Sequence, residues 1–250
     1  MDDDWDDITT QKSGGQWYPA EPMVRLTARF IQRRTGIDSY DVKRPTDRVL
    51  DVGCGNGSHV LFFAEQGLSA AGVDISKPAI ELGRQRAAET GLDVDFKTGD
   101  AADLSWGSET FDLVVSDGVL DHVSFSEAKS ILAEIQRVST PDAYIFLSLR
   151  STADSECGRG EEVEENTYIL KEGYEKGMLQ HFFDRRSIEE LLEGYEIFDI
   201  EHLKREYPAD FSVDKSHLQS SEGLKKQIDL RDTDFSRQHA RWWIAARRTK

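Results

Sequence analysis

The chain has 250 residues, 38% of them apolar and 31% charged, which is enough to bury a core and too apolar for disorder throughout. A formal net charge of −16 repels phosphate backbones and anionic lipid, so neither nucleic acid nor a membrane surface is an expected partner. No apolar run approaches the roughly 20 residues of a membrane helix, and Met1-Asp2-Asp3-Asp4 lacks the positive charge of a secretory signal, so a cytoplasmic location is expected.

Residues 1 to about 20 read as an acidic tail that ends in Gln16-Trp17-Tyr18-Pro19. Met23, Leu26, Phe30 and Ile31 then recur at helical spacing, which predicts a helix over 21–35, with Pro22 in its first turn and Gly36 past its end. From Arg48 short apolar runs alternate with helical stretches: strands over 49–52, 70–75, 94–97, 111–116 and 143–149, and helices over 58–66, 78–90 and 126–138. Repeated βα units predict an α/β fold, a doubly wound, mostly parallel sheet with helices on both faces. The pattern breaks over 151–181, which is rich in Glu and Gly. It resumes with a helix over 187–192 capped by Ser187, a strand over 195–203 and a last strand over 241–246. The expected organisation is a tail and capping helix over 1–40, then one sheet domain over 41–250 with insertions at about 151–183 and 207–237.

The most informative stretch is Val49-Leu50-Asp51-Val52-Gly53-Cys54-Gly55-Asn56-Gly57, a buried strand running into alternate glycines and then a helix. Glycines let the backbone turn tightly and let a ligand approach closely. An ordinary βα turn would look similar. Ser58 stands where a dinucleotide fingerprint needs its third glycine, and Asp51 would repel a pyrophosphate. The same carboxylate would attract S-adenosylmethionine (SAM), whose sulfonium and ammonium outweigh its one carboxylate. Asp74 ends the second strand about 20 residues on, where an acid can accept from two ribose hydroxyls, or can help Ser76 cap a helix. After the third strand, Asp100 can accept from an adenine amino group beside the Ala101 amide, while Asp103 reads as a turn residue. The fourth strand runs into Ser116-Asp117-Gly118-Val119-Leu120-Asp121-His122, at the edge where open parallel sheets bind ligands.

In order and spacing, residues 45 to 150 resemble the class I SAM-dependent methyltransferases, with a weaker likeness to small-molecule and tellurite-resistance-type members through His181-Phe182-Phe183. The resemblance implies a Rossmann-like sheet of seven strands with the last one antiparallel, and SAM as cofactor. It implies that Asp51, Gly53 and Gly55 line the methionine end, that Asp74 holds the ribose, that Ile75 and Ala101 flank the adenine, that Asp100 bonds its amino group, and that the Ser116 carbonyl receives the ammonium.

Methyl transfer to oxygen needs a base, and topology favours His122, then Asp121 and Asp117; His122 can equally be a packing residue of its loop. The 150–183 segment, with Arg150, Arg159, Glu161, Glu162, Tyr168 and His181, reads either as a lid over an acceptor or as a solvated acidic excursion. Trp17, Tyr18 and Arg25 could close the site from the N-terminal side, and Arg25 or Arg29 could meet the SAM carboxylate, whereas Trp242 and Trp243 belong to a strand. Cys54 and Cys157 match no metal spacing, and no metal is expected. The expected partner is a small-molecule acceptor. A non-catalytic SAM-binding regulator is the alternative, and the acidic loop disfavours a nicotinamide enzyme.

Overall fold

A computed structural model of the chain describes residues 6, 18–171, 175–207 and 237–249. Trp17 and most of the 207–237 insertion lie outside the described residues. Helix α1 (Glu21–Phe30) is followed by a hairpin of β1 (Gln32–Arg34) and β2 (Tyr40–Val42), which pair antiparallel. The helix therefore stops five residues before the predicted Thr35. Ile31, fully buried, gives its carbonyl to the Lys43 and Arg44 amides instead of to a further helical turn. Gly36 lies in the hairpin turn rather than at a helix end, its amide bonded to the Ser39 carbonyl.

The alternating units follow: β3 (Arg48–Val52), α2 (Ser58–Glu65), β4 (Ser69–Asp74), α3 (Lys77–Thr90), β5 (Asp95–Thr98), β6 (Phe111–Asp117), α4 (Phe125–Val138) and β7 (Ser139–Arg150). Caps set the helix starts. Ser76 accepts from the Ala79 amide at α3, and Ser124 and Glu127 form a reciprocal capping box at α4. The Glu- and Gly-rich stretch holds three short strands not legible in its periodicity: β8 (Gly160–Glu164), β9 (Thr167–Leu170) and β10 (Leu179–His181), an antiparallel sheet of their own. Helix α5 (Arg185–Leu191) begins two residues before the prediction. Asp184, not Ser187, is its N-cap, and Ser187 is the third helical residue of the capping box. Strands β11 (Tyr195–Tyr207) and β12 (Arg237–Arg248) complete the main sheet.

That sheet has seven strands in the order β11-β12-β7-β6-β3-β4-β5. All neighbours are parallel except β12, which runs antiparallel to both β7 and β11. Side chains alternate across it as a pleat requires. Leu50, Val52, Val114, Ile145 and Leu147 pack against Ile131 and Ile135 of α4 and Ile188 of α5. Val49, Leu113, Val115 and Phe146 pack on the other face against Met23 of α1, Phe63 of α2 and Ile80 of α3. Helix α1 thus shares one core with the sheet. Trp243 joins the second face, and Trp242 packs on the first while its indole donates to the Phe183 carbonyl. Among the described residues no helix is long and apolar enough to cross a membrane.

Candidate active site

Strand order reverses between β3 and β6, since β4 and β5 lie on one side and β7 on the other. Ligands of such sheets bind at that crevice, beyond the carboxyl ends of the strands. The glycine loop leaves β3 there. The Gly53 and Cys54 amides both donate to the Val73 carbonyl (2.8 and 2.9 Å), so the chain turns sharply around the end of β4. Gly53 has φ +72°, and a Cβ there would stand 2.0 Å from Val119 Cγ2. Gly55 has φ +52° and open space where a Cβ would project. One glycine is thus demanded by packing and the other borders open space.

Asp51 is 1% exposed, and neither carboxylate oxygen has a hydrogen-bond partner among the described residues. Burial raises its pKa, an effect opposed by His59. A buried carboxylate without donors is costly unless a ligand supplies them. Asp74, half-buried at the end of β4, accepts from the Gly55 amide (2.7 Å) and the Ser76 amide (2.8 Å). Each oxygen keeps lone-pair capacity for a further donor. Ser76 also donates to Asp6 (2.8 Å). Ile75 and Ala101 are half-buried and flank the same edge, and Asp100 is exposed with one oxygen taken by the Ala102 amide (2.8 Å). Ser116 is buried in β6, beside Asp117 at the strand end. The residues expected around a cofactor are therefore gathered on one rim. The buried Asp51 carboxylate, the open face of Gly55 and the net acidity suit a cationic nucleoside such as SAM.

The reacting side is a network of charges. Asp121 lies in a short 3₁₀ turn (Leu120–His122) and is fully buried. It accepts from the Arg150 amide (2.7 Å), and Arg241 of β12 stands 2.9 Å from its other oxygen. Arg241 also donates to Ser148 Oγ (2.8 Å), and Ser148 donates to Asp117. Asp121, expected as a second choice of base, is thus an arginine-paired carboxylate with no exposed face. His122 is largely buried, with Nε2 3.9 Å from Glu175. Burial lowers its pKa more than Glu175 and Asp121 raise it, which leaves a neutral imidazole. Arg150 pairs with Glu156 (2.8 Å) and Glu175 (3.0 Å).

The small sheet is anchored against this edge. The Phe125 amide and Thr167 hydroxyl donate to Glu164 (2.9 and 3.1 Å), Thr167 bonds His181 Nδ1 (2.6 Å), and Gln180 donates to the Asp121 carbonyl (3.1 Å). The His181 ring sits between Phe125 and Phe183. The segment is thus a folded flap rather than a solvated excursion. Arg25 and Arg29 do not reach the crevice, because Arg25 pairs with Glu21 and Glu201 and Arg29 with Asp199. Arg241, Ser148 and His59 are site residues that the sequence reading passed over. His59 contacts the site from the first turn of α2, 3.6 Å from Asp51 and 3.8 Å from Asp117. Among the described residues no three His, Cys, Asp or Glu side chains are grouped to hold a metal.

Residues 49–142 match the family model of a methyltransferase domain. A ubiquinone biosynthesis O-methyltransferase of Hahella chejuensis is 30% identical over 134 residues, covering 53% of this chain and 56% of that protein. The chain spans about half the length, or less, of the curated relatives it matches. A SAM-dependent methyltransferase of Methanosarcina mazei superposes with a TM-score of 0.63 at 23% identity, covering 82% of this chain and 94% of that one. TehB of Haemophilus influenzae superposes with a TM-score of 0.59 at 14% identity, covering 98% and 67%, a likeness of fold alone. Curated relatives from Hahella chejuensis and Brucella anthropi carry the ubiquinone-biosynthesis name, so the sequence likeness includes a type other than tellurite resistance. Over residues 49–142 the chain is thus similar to methyltransferase domains, and its fold is one that a SAM-dependent methyltransferase of known structure shares.

Proposed function

We propose that this chain is a SAM-dependent methyltransferase acting on a small-molecule acceptor. The observation that carries the reading is the buried Asp51 carboxylate, approached by no donor but His59 among the described residues, beside the open face of Gly55 at the point where strand order reverses. Asp51 would face the methionine end with its sulfonium, the Ser116 carbonyl would receive the ammonium, Asp74 would hold the ribose hydroxyls, and Ile75, Ala101 and Asp100 the adenine. When bound, SAM supplies an electrophilic methyl group for in-line displacement. The chain's own part is to orient the acceptor, exclude water and take its proton. His122, neutral and beside the network, is the proposed base for a hydroxyl acceptor. Asp121 and Arg241 position the turn that carries it. The flap of β8, β9 and β10 would cover the acceptor. Relatives named O-methyltransferases support an oxygen acceptor.

The test is incubation with methyl-labelled SAM and whole-cell extract, followed by separation of acid-soluble from acid-precipitable label. A new labelled compound in the soluble fraction is expected. Label confined to the precipitate would refute the small-molecule acceptor, and no transfer with any extract would refute the activity.

A further inference from the structure

His59 has no part in the mechanism above, although it lies between two carboxylates of the site and the chain that enters α1. It is buried at the second position of α2, and its Nε2 receives the Ala20 amide at 3.1 Å. An imidazole nitrogen that accepts a hydrogen bond carries no proton, so the neutral ring holds its proton on Nδ1. Nδ1 is the nitrogen 3.6 Å from Asp51 Oδ2. The ring thus presents its one N–H to the carboxylate that lacks any other donor among the described residues.

A second proton changes both contacts. It would sit on Nε2, opposing the Ala20 N–H and facing Asp117 Oδ2, 3.8 Å away. It would also set a positive charge against Asp51 and cancel part of the field that attracts a cation. The groups facing the ring are Asp51 from β3, Asp117 from β6 and the Ala20 amide at the start of α1, with Arg241 beyond Asp117 at 3.9 Å. Burial disfavours the cation, but the two carboxylates outweigh it and raise the ring's pKa above its ordinary value.

We propose that His59 is a positioning residue, one that aims Asp51 at a cationic ligand and docks the chain entering α1, and that on taking up a proton lets go of the Ala20 amide and competes with the ligand for Asp51. The proposal rests on the reading of Asp51 as part of the SAM site. SAM carries a sulfonium, whereas S-adenosylhomocysteine carries a neutral thioether in its place, so the two ligands separate a charge effect from a general loosening of the pocket.

Calorimetric titration of the full chain with each ligand, from about pH 8 to about pH 6, spans the ordinary histidine range. The expected result is that SAM affinity falls roughly tenfold more than that of S-adenosylhomocysteine, the size of one charged contact. His59→Gln can still accept from Ala20 and donate to Asp51 but does not titrate, so its ratio of affinities should stay flat. His59→Phe keeps the ring and loses both bonds, and should bind SAM on the order of tenfold more weakly at the higher pH. His59→Gln decides the matter if the phenylalanine variant does not fold. A wild-type pH dependence retained in His59→Gln overturns the proposal. Should the wild-type protein bind neither ligand, the cofactor reading fails. NMR titration of the His59 ring in wild type and Asp51→Asn then tests the pairing alone, and a ring pKa unmoved by Asp51→Asn overturns it.

Discussion

Replacing Arg241 by methionine removes a guanidinium from the floor of the site and keeps most of its apolar stem. Three contacts go with it: Asp121 Oδ2 at 2.9 Å, Ser148 Oγ at 2.8 Å and the longer approach to Asp117 at 3.9 Å. Asp121 is fully buried and would be left with the Arg150 amide as its donor. Removing one partner of a buried pair leaves an uncompensated charge and costs about 3–5 kcal/mol. At 250 residues each kcal/mol moves the melting midpoint by roughly 2–4 °C, so the expected fall is roughly 6–20 °C. Asp121→Asn in the Arg241→Met background should recover part of the loss, because a neutral amide needs no counter-charge and still accepts from the Arg150 amide. The coupling between the two changes is expected at roughly 1–3 kcal/mol. Urea unfolding of wild type, both single variants and the double variant measures it, provided the slope with denaturant is unchanged. A single variant within about 1 kcal/mol of wild type, or strictly additive changes, would refute the view that Arg241 neutralises Asp121.

Three further outcomes follow from the geometry. Asp74→Ala should weaken SAM by about 1–3 kcal/mol in calorimetry, and unchanged affinity would remove Asp74 from the ribose site. Gly53→Ala puts a Cβ at 2.0 Å from Val119 Cγ2 on a backbone of φ +72°, so a loss of about 1–3 kcal/mol in urea unfolding is expected; a neutral result would show that Val119 yields. His181 is buried and its pKa is held below the ordinary value by burial. The unfolded chain then binds the proton first, so its contribution is intact above the ordinary value of about 6.5 and is lost as pH falls below it. His181→Gln should flatten that part of the stability profile, and an unchanged acid limb would assign the loss to other groups.

The sheet and its cofactor rim were legible because both depend on local pattern. Runs such as Leu113-Val114-Val115 read as strands buried on both faces, and glycines at 53 and 55 after such a run announce a tight turn. What stayed hidden depends on contacts across the chain. Nothing local ends α1 at Phe30; the helix yields because the Ile31 carbonyl finds two amides in the hairpin. The flap strands carry glutamates on an exposed edge, so alternation of apolar residues is missing where the backbone pairs. Arg241 reads as the edge of an apolar strand. Its role follows only from strand direction, because an antiparallel strand begins where its parallel neighbour ends, and Arg241 faces Arg150 across the register. His59 offered one local hint, its place in the first turn after the glycine loop.

The antiparallel β12 also dictates an order of assembly. It lies between β7 and β11, so neither neighbour has its full set of pairings until residues 237–248 arrive. A chain emerging from the ribosome can form the β3-to-β7 units early, but Leu147 and Leu149 then line an open strand edge. Arg241 comes with the closing strand, so Asp121 waits for its counter-charge through the same interval. Completion of the sheet and completion of the site are a single late event, and a nascent chain paused before residue 237 would be both inactive and prone to pair with its neighbours.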